Sequence, residues 1–442
     1  MTFSPRRQLA LVLLLAFGLR LAAGWAWEAR LQQRFGMGDS ETYWSLARTI
    51  AEGQPYAYGE DRLQVFRTPG YPILLAPVLW LFGDGPLAVA VARAEAALLG
   101  TLAVLAVWWL TRLLFQEQAA RLAALLAAIY PGAVAMGAMI LSEAPFTPWM
   151  LLQLALWGLA WRSSSPTKRV ILSLVMGAAA GVATLMRPSW LLFTPFALAI
   201  GMLLAALSNL FDRRQRNRQV LCHLVIGGCG LLGLSLTMSP WWIRNYLATG
   251  HFVPTTLQVG ASLYDGLSPI ADGSSNMDFV PRFVAEEKEW AAAQGDQPQE
   301  SLELRLDRRM RVESLAWATT HPGAALRLAG VKFLRMWNIW PNEPSLSRWP
   351  LALAVLFTYT PLLIFAIMGA WRTFSLGWPY ILCWLPAVYL TMLHVVFVSS
   401  IRYREPAMLA LLALAAAEIQ GRWNRRFARS CAADNPRTDA LA

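Results

Sequence analysis

A chain of 442 residues that is 56% hydrophobic, with 21 tryptophans and a formal net charge of +11, is not composed like a soluble domain. Its mean hydropathy of +0.41 marks a polytopic membrane protein. The positive charge needs no nucleic acid to explain it, because the basic residues gather in short loops where anionic lipid headgroups attract them.

The first apolar run, about Gln8 to Trp27 behind Arg6 and Arg7, is long enough to span a bilayer. A cleaved signal peptide is the competing reading; the many later runs, and Arg20 inside the apolar stretch, favour a retained helix. Further runs of about 20 residues lie near 86–111, 121–140, 146–162, 170–186, 190–210, 220–242, 350–371, 378–398 and 405–421. The expected fold is therefore all-α and polytopic, with about ten transmembrane helices in a range of roughly 10–13. The basic clusters Arg6 and Arg7, Arg112 and Arg121, Arg162 with Lys168 and Arg169, Arg213 to Arg218, Arg372, and Arg422 to Arg429 all fall on one side. By the positive-inside rule both termini are then cytoplasmic.

This topology divides the chain into residues 1–27 (N-terminus and first helix), 28–85 (first exported loop), 86–242 (transmembrane bundle), 243–349 (second exported loop), 350–421 (C-terminal helices) and 422–442 (tail). The first loop holds a helix candidate at about 40–52, then "YGEDRLQVFRTPGYP" and the apolar "ILLAPVLWLFG", which is too short to span and reads as interfacial or re-entrant. In the second loop Leu302, Leu306 and Met310 share a helical face, and His321-Pro322 ends that helix. The following "ALRLAGVKFLRMWNIW" mixes basic and aromatic residues and is expected in the headgroup plane. The tryptophans near the outer ends read as an interfacial belt, and the last dozen residues as a disordered tail.

Cys222, Cys229 and Cys383 fall in spans and Cys431 in the tail, so a disulfide framework in the exported loops is excluded. His223, His251, His321 and His394 are scattered, without an HExxH, paired CxxC or P-loop pattern, and indicate neither a zinc site nor an ATPase. The informative charges are Arg67, Arg187, Arg244, Arg402 and Arg404, which break the positive-inside pattern at the outer face. One such arginine is explained by snorkelling. Five gathered with carboxylates suit an anionic ligand such as a lipid phosphate, which arginine grips bidentately.

The segments "GDSETYW", "FRTPGYP", "LSEAPF", "MRPSW", "SPWWIRNY" and "IRYREP", in that order and spacing, resemble the membrane-embedded GT-C glycosyltransferases. The likeness is to the branch of protein O-mannosyltransferases and aminoarabinose transferases (glycosyltransferase family 39). It implies transfer of a sugar from a polyprenyl-phosphate donor to an acceptor hydroxyl on the periplasmic face, by inverting single displacement. It also implies that Asp39 is the catalytic acid of the first exported loop. Relatives with two adjacent acids differ from this chain, where Gly38 precedes Asp39 and the second acid is Glu41.

The chemistry follows from the groups. A phosphate leaving group needs positive charge beside it more than a proton donor, and Arg67 and Arg402 are the candidates. The attacking hydroxyl must lose a proton, which calls for a carboxylate, Asp39. Glu41, Tyr43, Glu143, Arg187 and Tyr403 are candidates for the sugar and acceptor pocket; Tyr43 follows Asp39 by one helical turn. A divalent cation (Mg or Mn) is compatible with the carboxylates, but no ligand pattern demands one. The implied partners are the lipid-linked donor, membrane lipid, and an acceptor that is a protein, glycolipid or polysaccharide, with choice among acceptors placed in residues 264–320. A transporter or lipid flippase is the alternative, disfavoured by the lack of duplicated halves; an inactive scaffold is another.

Overall fold

The computed structural model describes residues 4–31, 34–207, 213–294, 300–340 and 349–433. Among them the architecture is all-helical, with one isolated bridge between Tyr58 and Leu63. Six helices are each long and apolar enough to cross a membrane: α1 (Pro5–Glu28), α4 (Pro86–Leu114), α8 (Pro166–Met186), the segment Pro188–Leu207 containing α9 (Phe193–Leu207), α10 (Arg213–Thr249) and α15, whose apolar part is Ala352–Phe374. Prolines start α1, α4 and α8, where the missing N–H costs no helical hydrogen bond.

The other expected spans take less regular forms. The run at 121–140 breaks at Tyr130-Pro131 into α5 (Glu117–Ile129) and α6 (Pro131–Met136), because proline cannot continue the preceding helix. The run at 378–398 becomes a 3-10 turn, Tyr380–Cys383, and the short α16 (Leu385–His394). The continuous helices α7 (Glu143–Arg162) and α17 (Glu405–Ala433) carry the remaining two. The buried run Ala407 to Ala416 of α17 packs against α15, α5 and α4 at the centre of the bundle. Alanines in that run let neighbouring backbones approach closely, which is how helices associate without a hydrophobic driving force. The α8–α10 contact uses the same device: a Cβ on Gly177 would stand 1.9 Å from the Gly230 carbonyl oxygen.

Arg20 is buried by protein rather than lipid. Its guanidinium donates to the carbonyls of Ala16, Ala127 and Ala128 and lies against Gly100 and Gly137. This satisfies a charge that would otherwise be expensive inside a span.

The two long segments between the expected spans are joined to each other. In the first, α2 (Gly38–Ala51) packs on α3 (Gly70–Phe82), and α3 is a short apolar helix. In the second, α10 runs beyond the expected boundary at 242 to Thr249, before α11 (Val259–Gly266), α12 (Val280–Ala293), α13 (Leu302–Thr320) and α14 (Pro322–Trp337). Leu306 and Met310 are buried on α13, which ends at His321. On α14, Leu328, Lys332 and Met336 face inward, while Leu326 and Leu334 stay exposed. The two loops are stitched together: the Glu303 carboxylate accepts from the Gln64 and Val65 amides at 2.9 and 3.0 Å, and Arg244 donates to the Gln64 and Tyr56 carbonyls. The expected disordered tail beyond Ala433 lies outside the described residues.

Candidate active site

Four distant segments meet at one end of the bundle. Asp39 stands in the first turn of α2, whose N-cap is Met37 with no side-chain capping bond. Asp39 is therefore free of the capping role that its position permits. Its Oδ1 accepts from Arg67 Nη2 at 2.6 Å and its Oδ2 from Arg402 Nη2 at 2.7 Å.

Arg67 is delivered by the turn before α3. Gly70 begins that helix so close to α8 that a Cβ there would stand 2.6 Å from the Leu185 carbonyl oxygen. This contact sets the Arg67 loop beside the end of α8. There Pro188 disfavours a helical conformation for the residue before it, and Arg187 is extended at φ −144°. The Arg187 side chain turns to Glu143, the first residue of α7, and its Nη1 donates to Oε1 at 2.6 Å. Arg402, in the 3-10 turn Ile401–Arg404, pairs through Nε with the same Glu143 oxygen at 2.7 Å. One chain of contacts thus runs Arg67, Asp39, Arg402, Glu143, Arg187.

Aromatic rings line this chain. Tyr403 lies 5.0 Å from the Arg187 guanidinium carbon and 5.2 Å from that of Arg402, and stacks on His394 at 4.2 Å. Tyr43 is buried against Tyr71, with the Arg67 guanidinium 5.5 Å from its ring. The expected Asp39–Tyr43 pairing on one face is present as a shared contact with Arg67. Glu41 differs: its position on α2 is exposed, away from these rings.

The two carboxylates differ in access. The Asp39 side chain is 28% exposed, whereas that of Glu143 is fully buried, so Asp39 is the carboxylate open to a ligand. Burial by itself would raise the Asp39 pKa. Arg67 and Arg402 outweigh it and hold the carboxyl well below the usual carboxylate range. Asp39 in turn offsets the burial of Arg67 and raises the pKa of its guanidinium. Each carboxylate accepts from two guanidinium groups, and Glu143 Oε2 is left without a hydrogen-bond partner. Among the described residues no cluster of three or more His, Cys, Asp or Glu side chains forms elsewhere.

Of the five arginines singled out in the sequence, three converge. Arg244 lies over Tyr56 and Trp241 and serves the loop stitching described above. Arg404 is buried, donates to the Met336 and Asn338 carbonyls, and sits 3.7 Å from the Tyr359 ring. Both have structural partners rather than a place in the cluster. His394, one of the scattered histidines without ligand spacing, is buried and stacks on Tyr403, a contact that leaves no spacing of its own in the sequence.

The sequence family described as dolichyl-phosphate-mannose-protein mannosyltransferase matches residues 67–243, a stretch that holds Arg67, Glu143 and Arg187 but neither Asp39 nor Arg402. Comparison with curated proteins returned no match. Among solved structures, the chain resembles the archaeal oligosaccharyltransferase AglB from Archaeoglobus fulgidus, in complex with an inhibitory peptide and a dolichol-phosphate: the TM-score is 0.57 at 15% identity, over 99% of this chain and 52% of that one. The apo form from the same organism gives 0.57 at 17% identity, over 97% of this chain and 52% of that one. ArnT from Cupriavidus metallidurans bound to undecaprenyl phosphate gives 0.47 at 16% identity, covering 94% and 77%. The chain spans about half the length of the oligosaccharyltransferases it matches. The GT-C resemblance read from the sequence holds, and the fold is GT-C-like.

Proposed function

We propose that this chain transfers a sugar from a polyprenyl-phosphate donor to an acceptor hydroxyl at the outer membrane face, with Asp39 as general base and Arg67 and Arg402 binding the donor phosphate. One observation carries the reading: three guanidinium groups share two carboxylates, so the cluster of Arg67, Arg187 and Arg402 with Asp39 and Glu143 keeps one formal positive charge in excess. Such a cluster is an anion site.

In the reaction, the acceptor oxygen attacks the anomeric carbon as the bond from that carbon to the phosphate oxygen breaks. The configuration inverts, the electron pair leaves on the phosphate, and the hydroxyl proton passes to the Asp39 carboxylate. Arg67 and Arg402 stabilise the negative charge that grows on the phosphate. Before the donor arrives, those two arginines are held by Asp39 itself, which makes the carboxylate a weak base. A phosphate that draws them away restores its basicity. Donor binding and base activation are thereby one event. Glu143 keeps Arg187 and Arg402 in register from its buried position, and Tyr403 and Tyr43 form walls of the pocket.

The test is incubation of the purified, reconstituted chain with a polyprenyl-phosphate sugar and candidate acceptors, following release of free polyprenyl phosphate. Release that depends on the acceptor supports transfer. A donor that crosses the membrane with its sugar still attached would instead identify a transporter.

A further inference from the structure

At the end of the bundle opposite Asp39, the helices α7, α8 and α10 part around a cleft of about 540 Å³. Glu143 begins α7 and Trp161, on the cleft wall, lies near its end. At 1.5 Å per residue the two are about 27 Å apart along the helix. The cleft therefore opens at the other membrane face from the carboxylate–arginine cluster.

Its walls are of two kinds. Arg169, Arg218, Gln215 and Gln219 supply hydrogen-bond donors, while Leu221 and Val225 continue the cleft as apolar surface down α10. Leu221 is 61% exposed, and Leu224 and Ile171 nearby are exposed as well, as expected of side chains that meet acyl chains. None of the described residues lining the cleft is acidic. Four arginines elsewhere on this face are paired with carboxylates: Arg372 and Arg422 share Glu418, and Arg112 and Arg121 share Glu117. Among the described residues no carboxylate pairs with Arg169 or Arg218. Arg169 uses part of its guanidinium on the Ala160 and Ser163 carbonyls, which fixes it at the rim, whereas Arg218 is exposed and reaches into solvent. A ligand that fits must carry negative charge at one end and hydrocarbon at the other.

We propose that this cleft binds an anionic phospholipid of that leaflet, with its phosphate diester against Arg169 and Arg218 and its acyl chains along Leu221 and Val225. Basic pockets between helices at this depth are suited to such headgroups. The site is independent of the sugar-transfer reading.

Native mass spectrometry of the detergent-purified chain tests it, with phosphatidylglycerol, phosphatidylethanolamine or inorganic phosphate added. Phosphatidylglycerol should be retained in preference to phosphatidylethanolamine. Arg218→Gln, whose side chain holds no part of the fold, should weaken that retention several-fold, and Arg169→Gln with Arg218→Gln by roughly tenfold or more. A charge-matched control, Arg213→Gln with Arg214→Gln, removes two arginines of α10 outside the cleft and should bind like the parent. Equal retention by the cleft and control variants would overturn the proposal. So would displacement of the lipid by inorganic phosphate at equal concentration, which would make the cleft a site for the free anion only.

Discussion

Asp39 and Arg402 stand 363 positions apart in the chain and meet at 2.7 Å. The same guanidinium continues to Glu143, so the exposed carboxylate and the buried one are coupled through a single side chain. The expected consequences of removing, shifting or loosening that coupling are specific.

Asp39→Asn removes the base and keeps the shape. Since the Asp39 side chain does not cap α2, expression and insertion should be little changed. Transfer should fall by roughly 10²–10⁴-fold, the usual worth of a general base. Donor affinity should hold or rise, because Arg67 and Arg402 no longer have a competing carboxylate. Glu41→Gln, at an exposed position, should stay near parental activity. A purified Asp39→Asn enzyme that turns over normally would remove Asp39 from the mechanism.

The pH profile should separate two states of Asp39. In the resting protein its pKa is depressed by Arg67 and Arg402. The stabilisation from those pairs is therefore complete above the unfolded value of about 3.9 and is lost only as pH falls through the lower folded value. Once donor phosphate takes the arginines, the pKa of Asp39 should rise. The acid limb of kcat, which reports the bound enzyme, should then lie at higher pH than that of kcat/KM, which reports the free enzyme. Coincident limbs would show that the arginines stay on Asp39 throughout.

Arg402→Lys keeps one charge but cannot address Asp39 and Glu143 together, and Arg402→Ala removes both contacts. Donor affinity, read by equilibrium binding, should fall in the order parent, lysine, alanine, and Arg67 should follow the same order. Arg404→Lys should instead act on thermal stability, since its partners are the Met336 and Asn338 carbonyls and the Tyr359 ring. Lysine substituting freely at position 402 would mean that this arginine merely snorkels.

Gly70→Ala tests the contact that seats Arg67. A methyl group there meets the Leu185 carbonyl at 2.6 Å, and overpacking of this kind costs about 1–3 kcal/mol. Thermal unfolding should show that loss, with donor affinity falling beside it because the Arg67 loop must move. Unchanged donor affinity with reduced stability would uncouple the loop from the site.

Much of this was legible in the chain itself. Apolar runs of bilayer length and one-sided basic loops determine where helices cross, because hydrocarbon tolerates neither free backbone groups nor unpaired charge. Asp39, Arg67, Arg187 and Arg402 stood out for the same reason: charges at an apolar boundary need partners. What the linear order could not decide was which charges partner which. Arg402 and Arg404 carry the same signal, two residues apart in "RYREP", yet one joins Asp39 and Glu143 while the other is buried against Tyr359. The cause is the 3-10 turn Ile401–Arg404. At three residues per turn, side chains two positions apart point about 120° away from each other around the axis, so only the folded backbone determines which arginine faces the site and which faces the core.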